Sequence, residues 1–229
     1  AGAKLTISSK NYSSWSLRPW VLMHELAIPF DEQLSPFSEK HDPQSVFAGS
    51  PSRKVPYLKD GDVLVWDSLA IAEYLAEIKP EVWPSSREAR AWARSAAAEM
   101  HSGFPVMRDF CTMNCGLLIE TGPWPEGLKS EVSRLDALWQ QGLSHFGGPF
   151  LAGDSFTAVD AFYAPVAFRV RTYGLSLSPE SMAYAERLLA LPSMRAWYDA
   201  ALQEPWRDEA HEEEARRAGR WIEDNRASS

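Results

Sequence analysis

The chain has 229 residues, 45% apolar and 24% charged, so it is long enough to bury a full core without disulfide or metal staples. Its 23 Lys and Arg against 31 Asp and Glu leave a formal charge of −8, which with no basic runs argues against nucleic acid and anionic membrane surfaces as partners. A small anionic ligand stays compatible with that balance, because a few cations placed locally outweigh a distant net charge.

The opening AGAKLTISSKNYSSW lacks the charged and apolar regions of a signal peptide, and no later apolar run approaches the ~20 residues of a membrane span. A cytoplasmic protein is expected. Residues 4–7 read as a strand. Residues 16–26 read as a helix, with Trp20, Met23 and Leu26 at helical spacing and Pro19 tolerable in a first turn. Residues 28–34 form a second candidate strand, and 35–52, with Pro36, Pro43 and Pro51, a loop with short helical turns. Residues 54–58 and 63–65 flank Asp60-Gly61-Asp62, a hairpin signal. An amphipathic helix over 69–78 is stopped by Pro80. Residues 1–80 thus describe a small mixed α/β domain.

Residues 81–87 read as a linker, and Ser85 with Glu88 makes a capping box for the next helix. From 88 to 202 the patterns are helical, broken near 122–127, 147–153, 174–179 and 191–193, which predicts an all-α domain of five or six helices without strands. A helix running through Pro105 has to kink there. Cys111 and Cys115 are too few for a disulfide framework and are expected as buried thiols. Residues 203–229, with Glu212, Glu213, Glu214, Arg216, Arg217 and Arg220, read as a solvated helix or frayed charged tail.

Four stretches draw attention for chemistry. Tyr12-Ser13-Ser14-Trp15-Ser16-Leu17-Arg18 lies between the first strand and the first helix. Serines there are ordinary N-caps, yet three hydroxyls at a helix N-terminus also suit an anion, because orphan N–H groups and the helix dipole favour negative charge. In Lys54-Val55-Pro56-Tyr57-Leu58 the proline belongs at an edge, a bulge or a cis peptide, and a cis bond would turn the backbone of Val55 toward an extended ligand. Trp66-Asp67-Ser68 is a helix cap, or else a carboxylate and hydroxyl placed to hold an amino-acid zwitterion. Phe156-Thr157-Ala158-Val159-Asp160 is a capping box with a structural role. No Gly-x-Ser-x-Gly elbow and no His-x-x-x-His spacing occurs, so neither a serine hydrolase nor a metal site is indicated.

In this order and spacing, Ser13-Ser14-Trp15-Ser16-Leu17-Arg18, Val55-Pro56, Asp67-Ser68-Leu69-Ala70-Ile71-Ala72-Glu73-Tyr74-Leu75 and the Thr157-x-x-Asp160 box resemble the glutathione transferase family, over residues 4 to about 202. The likeness is to its serine-type, zeta-like group, whose loop reads roughly Ser-Ser-Cys-Ser-x-Arg. Trp15 stands where that group has Cys. The resemblance implies an α/β thioredoxin-like N-terminal domain followed by an all-α C-terminal domain, a homodimer, glutathione as co-substrate and no metal. It also implies site roles. Ser13 is the first candidate for the hydroxyl facing the glutathione sulfur, with Ser14 and Ser16 as rivals. Val55 would pair its backbone with the cysteinyl unit, before a cis Pro56. Asp67 and Ser68 would hold the γ-glutamyl end, and His41 and Lys54 the glycyl carboxylate. His101 and Arg108 are expected to face the electrophile pocket, and Arg169 and Arg171 to fall near a substrate carboxylate.

The chemistry then follows from thiol ionisation. A free thiol has a pKa of about 8.5, and lowering it by about two units corresponds to roughly 2.7 kcal/mol of preferential thiolate stabilisation. A donated hydroxyl hydrogen bond and a helix N-terminus act in that direction. The bound thiolate would attack a small apolar or aromatic electrophile, and an Arg in the pocket would suit an acid group on it. Two other readings stand beside this one. A glutathione-dependent cis–trans isomerase of the maleylacetoacetate type is disfavoured by Trp15 in place of Cys. A binding module without chemistry is disfavoured by the serine cluster retained together with Asp67-Ser68. Glutaredoxin-like thiol transfer would need a Cys where the loop offers only serines.

Overall fold

The computed structural model describes residues 2–227. Alternation in β1 (Ala3–Ile7) turns Leu5 and Ile7 inward, where both are wholly buried. α1 (Ser14–Glu25) crosses over to β2 (Phe30–Leu34), which runs parallel to β1 with Leu5 opposite Glu32. β3 (Tyr57–Asp60) pairs antiparallel with β1, Leu58 opposite Leu5, and the chain turns at Gly61 into β4 (Val63–Val65). Gly61 has φ +61°, the left-handed conformation that this turn requires and glycine adopts freely. The sheet order is β2-β1-β3-β4. β3 begins only at Tyr57, because Pro56 has no N–H to give the ladder. α2 (Ser68–Ile78) buries Ile71, Ala72 and Leu75 on this sheet and completes the α/β thioredoxin-like half.

The second half is helical. Ser86 rather than Ser85 caps α3 (Arg87–Ser102), its Oγ accepting from the Ala89 N–H at 3.2 Å. The helix does not kink through Pro105; it stops. Phe104 takes a left-handed conformation (φ 55°, ψ 45°), and Pro105 opens a new helix, α4 (Pro105–Phe110), at the position where its missing N–H leaves nothing unsatisfied. α5 (Leu128–Phe146) supplies Glu131, whose carboxylate accepts from the Val106 and Met107 N–H groups at 3.1 and 2.8 Å and so caps α4.

α6 (Ala158–Tyr173) is apolar on almost every side and correspondingly buried along its length. It packs on α1 from the sheet half and on α3 and α7 (Pro179–Ala190) from its own, so one continuous core spans both halves. Of the expected capping box at Thr157 and Asp160, the Asp160 half is clear, its carboxylate accepting from the Thr157 N–H at 3.0 Å, while Thr157 Oγ1 is buried without a hydrogen-bond partner. Asp160 also accepts from the Leu151 N–H at 3.0 Å and the Tyr184 hydroxyl at 2.6 Å, tying three elements to one carboxylate. α8 (Pro192–Gln203) follows.

Two expectations need correction. The helical half contains a strand, β5 (Leu117–Thr121), whose Leu117 and Ile119 are buried by alternation. The charged tail is not frayed, although Glu213, Arg216, Arg217 and Arg220 are exposed, as expected of a solvated segment. It forms α9 (Glu209–Ala218) and β6 (Gly219–Asp224), and β6 pairs antiparallel with β5. The charges of the tail satisfy one another: Arg226, with its side chain 1% exposed, donates to both carboxylate oxygens of Glu212 at 2.8 Å. Cys111 and Cys115 are free, buried thiols; burial pushes Cys111 up to about 12 and moves Cys115 upward too, so neither is a nucleophile at neutral pH. Among the described residues no helix is long and apolar enough to cross a membrane.

Candidate functional site

Two cavities meet at Trp15 on the seam between the halves. One, of about 340 Å³, is walled by Ser13, Ser14, Lys40, Arg53 and Arg108 among others. The other, of about 370 Å³, is walled by Pro56, Trp66, Asp67, Ser68 and His101. Both share Trp15, Lys54 and Val55. A separate cavity of about 670 Å³, around Trp83, Arg90 and Asp154, contains none of the predicted site residues.

The serine loop resolves into three roles. Ser13 is the N-cap residue of α1, yet its side chain makes no capping bond and points its Oγ at Ser16 Oγ, 2.6 Å away. Ser16 is wholly buried, accepts from the Ser8 N–H at 3.3 Å and lines neither cavity. It therefore positions Ser13. Ser14 is half-buried at the cavity wall. Tyr12, the adjacent phenol, is engaged elsewhere: its oxygen accepts from the Asp208 N–H at 3.2 Å, and burial pushes its pKa up to about 12.

Val55 sits at the junction of the cavities. Its peptide bond to Pro56 is cis, as expected, and its backbone N–H and C=O have no partner among the described residues. Asp67 caps α2, Oδ1 accepting from the Leu69 and Ala70 N–H groups at 3.0 and 3.2 Å. Its other oxygen lies 3.2 Å from Nε2 of His101, which reaches across from the helical half. Ser68 is 1% exposed, and its Oγ is buried without any hydrogen-bond partner. A buried hydroxyl is ordinarily satisfied, and this one lines the second cavity beside Asp67.

The first cavity is electropositive although the chain is acidic. Five basic residues line it, Lys40, Arg53, Lys54, Arg108 and Arg169, against the acidic pair Asp109 and Glu214. Arg108 is held by donation from Nε to the Gly103 carbonyl at 2.9 Å, and its guanidinium lies 5.7 Å from the Trp15 ring centre. Arg169 donates to the Cys111 carbonyl at 2.6 Å while its Nε stays buried and unpartnered. Behind them Arg18 lies 4.0 Å from the Trp15 ring centre and 5.0 Å from Phe162, with no carboxylate partner among the described residues. Burial, reinforced by Arg169 and Arg108, pulls Arg18 down to about 9.

Of the predicted residues, Ser13, Ser14, Lys54, Val55, Pro56, Asp67, Ser68, His101 and Arg108 are brought together. His41 is not; it is exposed outside both cavities, and its neighbour Lys40 lines the first one instead. Arg171 is not either. It lies in a third cavity with Tyr198, to whose hydroxyl it donates at 3.1 Å, and Arg169 faces the cleft in its place. Helical geometry carries the signal for that choice: Arg169 is seven residues from Phe162 and shares its face, whereas Arg171 is turned about 200° from Arg169. Arg18, Arg53 and His211 were not anticipated; of these only Arg18, three residues from Trp15 on α1, had a local signal.

Comparisons with known proteins identify the family. Residues 12–78 match the glutathione S-transferase N-terminal domain and residues 122–200 the C-terminal domain. The chain is 24% identical over 222 residues to glutathione S-transferase GstB of Escherichia coli (strain K12), covering 88% of this chain and 94% of the relative. It is 28% identical over 137 residues to maleylacetoacetate isomerase of Rattus norvegicus, covering 57% of this chain and 60% of the relative. A glutathione transferase homolog from Burkholderia, crystallised with bound glutathione, superposes with a TM-score of 0.66 at 25% identity, covering 88% of this chain and 98% of that one.

Proposed function

Because this chain belongs to the glutathione S-transferase family, we propose that it lays glutathione across the two cavities and presents the thiol, as thiolate, to a small electrophile. One observation carries the reading. In a single cleft lie an α1 N-terminus that Ser13 leaves uncapped, a Val55 backbone without partners and a buried Ser68 hydroxyl without one. Each is a group that folding ordinarily satisfies and a tripeptide thiol would.

Ser13 is the hydroxyl that faces sulfur. In the structure the Ser13 hydroxyl donates to Ser16 Oγ at 2.6 Å, so rotation of that one O–H from Ser16 to the sulfur would deliver its proton to the thiolate. The N-terminal dipole of α1 adds to the same stabilisation. The thiolate then forms a carbon–sulfur bond, and the leaving group departs with its electron pair. Asp67 and Ser68 hold the γ-glutamyl end, Val55 the cysteinyl backbone, and Lys54 the glycyl end. Residues 1–80 supply most of the glutathione contacts and residues 88–202 the electrophile wall.

Trp15 and the guanidinium groups of Arg108 and Arg169 suit an aromatic or unsaturated electrophile bearing a carboxylate. The same wall supports an isomerase reading, in which the thiolate adds to an unsaturated acid and later leaves; the likeness to the rat isomerase favours it. The working form is a cytoplasmic homodimer. Calorimetric titration with glutathione tests the proposal. Saturable binding in the millimolar range or tighter is expected, and no heat of binding at millimolar glutathione overturns it.

A further inference from the structure

Residues beyond 200, outside the segment matched to the C-terminal domain, reach back to the serine loop. Glu204 accepts from the Lys10 and Asn11 N–H groups at 2.8 and 3.1 Å. The Asp208 backbone N–H and the Arg226 guanidinium donate to the Tyr12 hydroxyl oxygen at 3.2 and 3.4 Å. His211, from the same segment, stacks on Tyr12 with ring centres 4.8 Å apart and planes 23° from parallel, and lies 4.8 Å from Phe37. Its Nδ1 is bound to the Asp208 carboxylate, and Nε2 has no partner among the described residues. Two rings and a carboxylate therefore fix the imidazole in the wall of the cavity that holds Ser13, Lys40, Arg53 and Lys54.

We propose that His211 binds the glycyl carboxylate of glutathione, alongside Lys40, Arg53 and Lys54. The inference rests on the glutathione reading above. Charge sets the direction of the tripeptide. Its ammonium-bearing γ-glutamyl end suits Asp67 in the second cavity, and Val55, common to both cavities, lies between that end and the cations of the first. An imidazolium donates from both nitrogens, one proton to Asp208 and the other to the incoming carboxylate, and such charge-assisted bonds are the strong ones. Asp109 and Glu214 line the same cavity and oppose an anion, but Lys40, Arg53, Lys54, Arg108 and Arg169 outnumber them. The segment thus both fixes the loop that carries Ser13 and completes the pocket beside it.

The test compares glutathione with its glycyl monoethyl ester, which lacks only the carboxylate charge, by calorimetry at one pH. Wild type should prefer glutathione. His211→Ala should weaken glutathione by about tenfold and the ester by less than about twofold, as expected for loss of one charged hydrogen bond. His211→Gln keeps the size and one N–H donor and gives the same selective loss, smaller in extent; it carries the test if the alanine variant does not fold. Equal weakening of both ligands, or of neither, overturns the assignment, since a histidine that only props Tyr12 would not distinguish them. Wild type that binds neither ligand overturns the glutathione reading itself, a result distinct from unselective variants.

Discussion

Ser13 and Ser16 lie three residues apart at the start of α1, a spacing that brings their hydroxyls together. Ser16 falls on the inner face and becomes a buried acceptor for Ser8 and Ser13, while Ser13 stays at the cavity wall. The sequence puts Ser13 first with Ser14 and Ser16 as rivals; depth in the fold sets Ser16 apart, since Ser13 and Ser14 line the first cavity and Ser16 lines neither. Trp15 is similarly decisive. Its ring stands between the two cavities, with Arg18 at 4.0 Å, Arg108 at 5.7 Å and His101 edge-on at 5.4 Å. Arg108 is half-buried and has no carboxylate partner among the described residues, so an acid group on the electrophile would gain a charge-assisted bond there. Replacing Arg108 by Ala is expected to lower kcat/KM for a carboxylate-bearing electrophile about tenfold more than for its neutral ester. Steady-state kinetics on the matched pair checks this, and an equal loss on both contradicts it.

At the scale of elements, local signals were enough where the pairing is local. Alternation, the Asp60-Gly61-Asp62 turn and the Asp67 cap made β1 through α2 legible, and the Thr157–Asp160 box marked the start of α6. The break between α3 and α4 was only half legible. Pro105 announced an interruption, but Phe104 in the left-handed region and Glu131 on the free N–H groups of α4 depend on packing between helices. Asp160 shows how much one legible residue can hold. Its carboxylate serves the Thr157 and Leu151 N–H groups and the Tyr184 hydroxyl, so Asp160→Ala strands three buried donors and should cost about 3 kcal/mol or more in urea unfolding. Burial lifts this carboxyl to about 6, above its ordinary value. Its contribution is therefore fullest below the unfolded-state pKa and declines as pH rises through the folded one. The penalty of Asp160→Ala should accordingly be greater at acidic than at neutral pH, and a penalty that grows toward neutrality would contradict the assignment.

Across the whole molecule, an acidic chain carries an electropositive cavity, because Lys40, Arg53, Lys54, Arg108 and Arg169 line it against only Asp109 and Glu214. The tail escaped the sequence for a related reason. Its charges pair with each other, Arg226 with Glu212 and Asp224, and its strand finds β5 far away in the chain, so neither hydropathy nor local spacing announces it. Folding that segment back places Glu204, Asp208, His211 and Arg226 around residues 10–12 and holds the loop that presents Ser13. Activation of a bound thiol at Ser13 is the claim on which the functional account turns. Thiolate absorbance of bound glutathione, followed against pH in wild type, Ser13→Ala and Ser14→Ala, tests it directly. The bound thiol should ionise about two units below the ~8.5 of a free thiol in wild type and Ser14→Ala, and return toward the free value in Ser13→Ala. A bound thiol that titrates at the free value in wild type, or keeps its lowered pKa in Ser13→Ala, would contradict it.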